Sequence, residues 1–246
     1  MQGARITGAL ERVSSRRTGV MQICAALAVA WVLLTPTTTP EAAPAMGRIE
    51  GVVRLLTTTD AGIASGAYPT RRVSRPAARA SEIANVIVFL RSAAAERSNA
   101  LPTTRAQMMQ REESFVPRVL AVTRGSTVEF PNFDPYFHNV FSLSRGASFD
   151  LGRFPRGESR ARTFTKTGLI KVYCHLHSHM SASIMVFDHH HFVMPDADGS
   201  FALDNVPPGE HQLSAWHERI GESAKPLIVE AGRTARLEFA LPMEGR

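Results

Sequence analysis

Residues 172–180 read VYCHLHSHM, so one cysteine, three histidines and a methionine stand within nine positions. The chain has only two cysteines, and the other, Cys24, lies in an apolar run near the N-terminus. A cysteine left without a partner serves packing, nucleophilic attack or metal ligation. Attack needs a base and an orienting acid, and no histidine and acid are recognisably placed to activate Cys174. Ligation fits the spacing better. Cys174, His177 and Met180 follow a C-x2-H-x2-M pattern between two apolar runs, LIKVYC and SASIMVFD, so one loop can aim three donors at one point. The segment FPNFDPYFHNVF offers His138, the one histidine after residue 45 outside this loop and the C-terminal part of the chain. Two imidazoles, a thiolate and a weak thioether suit one type 1 copper ion, because soft sulfur favours Cu(I) and a near-trigonal site also accepts Cu(II). A Cys/His zinc site and a site without metal are the competing readings of the same residues.

Such a loop needs rigid strands on both sides, and the sequence reads as β almost throughout. GRIEGVVRLL (47–56) alternates, with Ile49, Val53 and Leu55 on one face and Glu50 and Arg54 on the other, and NVIVFLR (85–91) is a short apolar, β-branched run. From Phe115 strand signals recur in VLAVTRGSTVEF, HNVFSL, SRARTFTKTG, LIKVYC and SASIMVFD, punctuated by RG and TG pairs. This spacing predicts an antiparallel sandwich or barrel. Turns at Asp198-Gly199 and Pro208-Gly209, with alternation through Phe201, Leu203, His211, Leu213 and Ala215, predict a further small β unit. Residues 93–114 are the one place where a short helix is expected. The domain reading is an export leader over 1–45, an N-terminal β unit with long loops over 46–114, a sandwich carrying the candidate ligands over 115–188, and a C-terminal β unit over 189–246.

The leader reading rests on Arg5, Arg12, Arg16 and Arg17, the uncharged stretch GVMQICAALAVAWVLLTP, and the small-residue segment EAAPAM. Together they form the three regions of a secretory signal, with cleavage expected after Ala45 and a periplasmic product without a membrane span. Losing residues 1–45, which hold four Arg and two Glu, takes the formal charge from +6 to +4. The remaining basic charge sits largely in irregular stretches such as TRRVSRPAARAS with no nucleic-acid motif beside it, so a nucleic-acid partner is not expected.

The two segments VTRGSTVEFPNFDPYFHNVF and KTGLIKVYCHLHSHMSASIMVFD resemble the plastocyanin-like cupredoxins, in a G-x-x-V-x-F-x-N strand, an H-N-V segment and a late Y-C-x2-H loop ending in Met. The loop spacing is similar to that of amicyanins. FDLGRFPRG and AWHERIG look closer to bacterial plastocyanin-like proteins of methylamine utilisation, where a cupredoxin is combined with transthyretin-like or carboxypeptidase-regulatory-like β units. The resemblance implies an all-β, Greek-key β-sandwich with such units, one type 1 copper ion held by His138, Cys174, His177 and Met180, and an Asn139 that ties the two ligand loops together. It also implies an electron carrier rather than an enzyme, meeting other periplasmic redox proteins transiently. One departure stands out: His175, His177 and His179 all follow the cysteine. Strand alternation turns His175 away from Cys174, while His177 and His179 both remain in reach of the second imidazole position.

The run DHHHF (188–192) can bring at most His189 and His191 together, because successive side chains in an extended chain point to opposite sides. His211 and His217 are expected to be structural or surface residues, and Trp216 to cap a small core. Two rival functions follow from the residues. The extra histidines favour a copper carrier or buffer, and the flanking β units favour a metal-free binding or scaffold module.

Overall fold

The alternating and apolar runs do form strands, in a computed structural model that describes residues 45–57, 82–91 and 101–243. The expected leader falls outside the described residues except for Ala45, as do residues 93–100 of the expected helix. In chain order the strands begin with β1 (Gly47–Thr57), β2 (Val86–Leu90), β3 (Arg105–Gln107), β4 (Met109–Arg111) and β5 (Ser114–Val116). Next come β6 (Val119–Thr123), β7 (Thr127–Pro131), β8 (His138–Ser142), β9 (Phe149–Phe154), β10 (Ser159–Thr163), β11 (Gly168–Tyr173) and β12 (Ser181–Phe187). The chain closes with β13 (Phe192–Val193), β14 (Ser200–Val206), β15 (Gly209–His217), β16 (Gly221–Val229) and β17 (Thr234–Met243). The protein is all-β.

Two sheets build the half that carries the candidate ligands. One has the order β6-β12-β11-β8-β9 and the other β10-β7-β3. Because β6 lies parallel to β12, the late strand of this half sits beside an early one, and connections cross the ends of the sandwich in Greek-key fashion. Val122, Val128, Phe130, Val140, Phe154, Ile170, Val172, Ile184 and Val186 fill the space between the sheets. Each large apolar side chain fully buried here contributes about 1.5–3 kcal/mol.

The remaining strands form three further sheets, the two-stranded β4-β5 and the larger β14-β1-β17 and β13-β2-β15-β16. Strand β1 runs parallel to β17 and antiparallel to β14, and β2 lies antiparallel to β13 and β15. Strand pairing therefore does not follow the expected segments 46–114 and 189–246: β1 and β2 share one core with β14–β17, around Ile49, Val88, Leu213 and Phe239. Conversely β3 lies parallel to β7, and Met108 is buried in the sandwich, so residues 101–114 belong to the ligand-bearing half. The reason is that alternation specifies a strand and its buried face but not its partner.

The helix expected within 93–114 is corrected over its described part, where β3, β4 and β5 stand instead. Gln, Met and Arg are good helix formers, but pairing with β7 and burial of Met108 override that local preference. Strand β2 explains its unbroken apolar run: Val86, Val88 and Leu90 face one core while Ile87 and Phe89 face another. That second core joins Ile87 and Phe89 to Val119, Phe187 and Trp216, so the β2–β15 sheet packs on the outer face of β6 and β12. Trp216 is thus a core residue between the two halves. At the Asp198-Gly199 turn, a Cβ on Gly199 would lie 2.2 Å from the Val53 carbonyl oxygen and its φ is +87°, so glycine is required for the turn to approach β1.

Candidate metal centre

Alternation along β11 places Ile170, Val172 and, one step beyond the strand, Cys174 on the face that enters the sandwich core. The same rule along β12 turns Met180, Ala182, Ile184 and Val186 inward. The two strands are antiparallel with Tyr173 opposite Ser181, and the Cys174 N–H donates to the Met180 carbonyl at 3.3 Å. Cys174 and Met180 therefore face each other across the mouth of one hairpin, both nearly fully buried. The loop between them is pulled tight by the Met180 N–H, which donates to the His177 carbonyl at 2.9 Å. That turn brings the His177 ring back over the sulfur.

His138, at the start of β8, completes the cluster from the neighbouring strand and is fully buried. Its Nδ1 lies 3.8 Å from Cys174 Sγ and 3.0 Å from His177 Nδ1, and His177 Nδ1 lies 3.9 Å from Cys174 Sγ. Among the described residues, these three form the group of His, Cys, Asp or Glu donors placed to share one ion. Bond lengths of about 2.0 Å to imidazole nitrogen and about 2.3 Å to thiolate sulfur put donors around one ion roughly 3–4 Å apart, so the spacing fits a bound metal. The donor chemistry, one thiolate and two imidazoles beside a buried thioether, suits copper better than a hard cation.

The structure separates the three loop histidines. His175 leaves the cluster and stacks on Phe141, with ring centroids 3.6 Å apart and 5° between planes. His179 points outward, its Nε2 3.2 Å from Glu113 Oε2. Of the three, His177 is the one that brings a ring nitrogen to the sulfur. Asn139 links the strand of His138 to the loop of Cys174: its Oδ1 accepts the His175 N–H at 2.7 Å, and its Nδ2 donates to Asp150 Oδ1 at 3.0 Å.

One residue of the site was not singled out from sequence. Asp134, 6% exposed, has Oδ2 2.8 Å from His138 Nε2. It also accepts the backbone N–H of Glu112 at 2.6 Å and of Glu113 at 2.9 Å. Burial pushes its pKa up, but the Glu113 N–H, the His138 imidazole and the Glu112 N–H outweigh burial and hold the carboxyl below its usual range. The loop that presents Asp134 is built by Asn132, whose Nδ2 donates to the carbonyls of Tyr136 and Phe154 and whose Oδ1 accepts the Asp134 N–H. An Asp four residues before a candidate ligand histidine was the available signal.

The remaining histidines lie apart from the cluster. His189 and His191 are buried and His190 exposed, with 6.3 Å between the ring centroids of the buried pair. His217 is fully buried with Nε2 3.2 Å from Glu82 Oε2, and His211 Nε2 donates to the Pro207 carbonyl at 2.7 Å.

No protein-family model and no curated protein matches the chain. Solved structures do. A copper-containing nitrite reductase from Thermus scotoductus SA-01 is similar at 28% identity over 38% of this chain and 24% of its own, with a TM-score of 0.33. A purple cupredoxin from Nitrosopumilus maritimus is similar at 23% identity over 33% of this chain and 99% of its own, with a TM-score of 0.31. A reduced amicyanin variant is similar at 19% identity over 41% of this chain and 98% of its own, with a TM-score of 0.33.

Proposed function

We propose that the chain is a periplasmic type 1 copper protein that shuttles single electrons between redox partners and catalyses no reaction of its own. The observation that carries this reading is the convergence of His138 Nδ1, His177 Nδ1 and Cys174 Sγ within 3.0–3.9 Å of one another, beside the buried Met180. His138, Cys174 and His177, with Met180 beside them, would hold copper, which would supply a one-electron couple between Cu(I) and Cu(II). The residues supply the rest. Cys174 and Met180 are fixed by the β11–β12 hairpin and His138 by β8, so the donor positions are set by the sheet rather than by the ion. Phe130, Phe154 and Val172 exclude water from the inner side.

The outer side is where an electron would leave. His177 is half-buried and lies beside Tyr136, with ring centroids 6.4 Å apart. Tyr136, Phe137, Phe133 and Leu176 are exposed large apolar side chains in the same loops, and they suit a small, transient interface with a redox protein. Export rests on the leader, and the β1, β2 and β13–β17 half is the counterpart of the regulatory-like β units that accompany plastocyanin-like proteins of methylamine utilisation. His175 and His179, exposed at the rim of the cluster, support a second reading as a copper carrier.

Voltammetry of the copper-loaded protein in the presence of a copper chelator separates these readings. A reversible one-electron wave that survives many cycles is expected for the electron carrier. Rapid loss of the wave as the chelator takes the ion supports the carrier of copper, and the absence of any copper uptake supports the metal-free module.

A further inference from the structure

The buried carboxylate of Asp134 is more than a loop anchor. Its Oδ1 accepts the Glu112 N–H, and its Oδ2 accepts the Glu113 N–H and lies 2.8 Å from His138 Nε2. The two N–H groups come from the β4–β5 hairpin, where Arg111 pairs with Ser114 across a two-residue turn. Glu112 and Glu113 both hold left-handed φ, +52° and +50°, in that turn. Non-glycine residues at such φ cost about 1–2 kcal/mol each, and here the conformation points both N–H groups at one carboxylate. An ionised carboxylate only accepts, so the proton between Asp134 and His138 belongs to Nε2. His138 Nδ1 is then left unprotonated, with its lone pair facing Cys174 Sγ and His177 Nδ1.

We propose that Asp134 is a positioning residue for the metal centre: it fixes His138 in the Nε2–H tautomer and, through its charge, strengthens Nδ1 as a donor so that the higher oxidation state is favoured. The inference rests on the copper reading above. A carboxylate hydrogen-bonded to the outer nitrogen of a ligand histidine orients the ring and raises its basicity, and loss of such a partner typically lowers metal affinity about 10–100-fold. A negative charge near the ion stabilises Cu(II) more than Cu(I), so the loss falls more heavily on Cu(II) affinity. Each tenfold excess of Cu(II) loss over Cu(I) loss raises the one-electron potential by about 59 mV.

Two variants separate charge from tautomer. D134N keeps an oxygen able to accept from His138 Nε2–H but lacks the charge; D134A removes both. Copper-loaded D134N is expected to keep its visible band, with Cu(II) affinity lowered about 10–100-fold and a more positive potential than the unsubstituted protein. In the metal-free protein, nitrogen NMR of His138 is expected to show Nε2–H alone, and metal-free D134A to show a substantial Nδ1–H population. A purely structural role would lower the melting temperature of both variants without moving the D134N potential. An unchanged potential and Cu(II) affinity in D134N, or an unchanged tautomer in folded D134A, overturns the proposal. Should D134A fail to fold, the D134N potential decides. Should the unsubstituted protein take up no copper, the electron-transfer reading fails on that result, and the tautomer in the metal-free proteins still decides the role of Asp134.

Discussion

Cys174→Ser, loaded with Cu(II), is expected to lack the intense visible absorption that the copper reading predicts for the unsubstituted protein, while keeping its β-sheet circular dichroism. On that reading the absorption would come from thiolate-to-Cu(II) charge transfer, and a serine hydroxyl is a hard, weakly ionised donor that cannot supply it. The fold should tolerate the change because Cys174 lies at the end of β11, beside a core already closed by Phe130, Phe154 and Ile184. A hydroxyl placed at a site only 3% exposed costs about 1–3 kcal/mol if it finds no partner, which lowers the melting temperature without unfolding a chain of this size. Retention of an intense band in this variant would show that the sulfur is not a ligand.

The second large effect separates the loop histidines. His177→Ala is expected to lose the same band, or to regain it only when imidazole is added, because His177 Nδ1 is 3.9 Å from Cys174 Sγ and 3.0 Å from His138 Nδ1. His175→Ala should keep it. That substitution removes a ring stacked on Phe141, worth about 0.5–1.5 kcal/mol of stability, and leaves the donor cluster intact. His179→Ala should also keep the band, since its ring pairs with Glu113 rather than with the sulfur. For His179 to replace His177, the turn closed by the Met180 N–H and the His177 carbonyl would have to be rebuilt and the His179 ring drawn away from Glu113. Colour that survives His177→Ala but disappears in His179→Ala would mean that the loop binds in a different register.

The parts of this arrangement that sequence made legible are those governed by local periodicity. Alternation carries Ile170 and Val172 into the core and Cys174 with them, and the same step of two places His175 on the outer face. The C-x2-H-x2-M spacing then follows from a hairpin whose ends are Cys174 and Met180. What alternation does not encode is partnership. The parallel pairing of β1 with β17 joins residues far apart in the chain, and nothing in GRIEGVVRLL names the strand Thr234–Met243 as its neighbour. Asp134 is hidden for the same reason. Its role depends on a hairpin turn at Glu112 and Glu113 reaching it from another part of the chain, and Glu-Glu is not a pair that announces such a turn. The stretch 105–111 went the other way: its helix-forming residues suggested one local structure, and pairing with β7 imposed another.

The most direct test of the central claim is a combined absorption and paramagnetic resonance spectrum of the unsubstituted protein loaded with one equivalent of Cu(II). The account predicts an intense blue or green charge-transfer band and a small copper hyperfine splitting, both signs of a covalent bond to the Cys174 sulfur in a site held by His138 and His177. A weak band with the large splitting of copper bound to nitrogen and oxygen alone would contradict it.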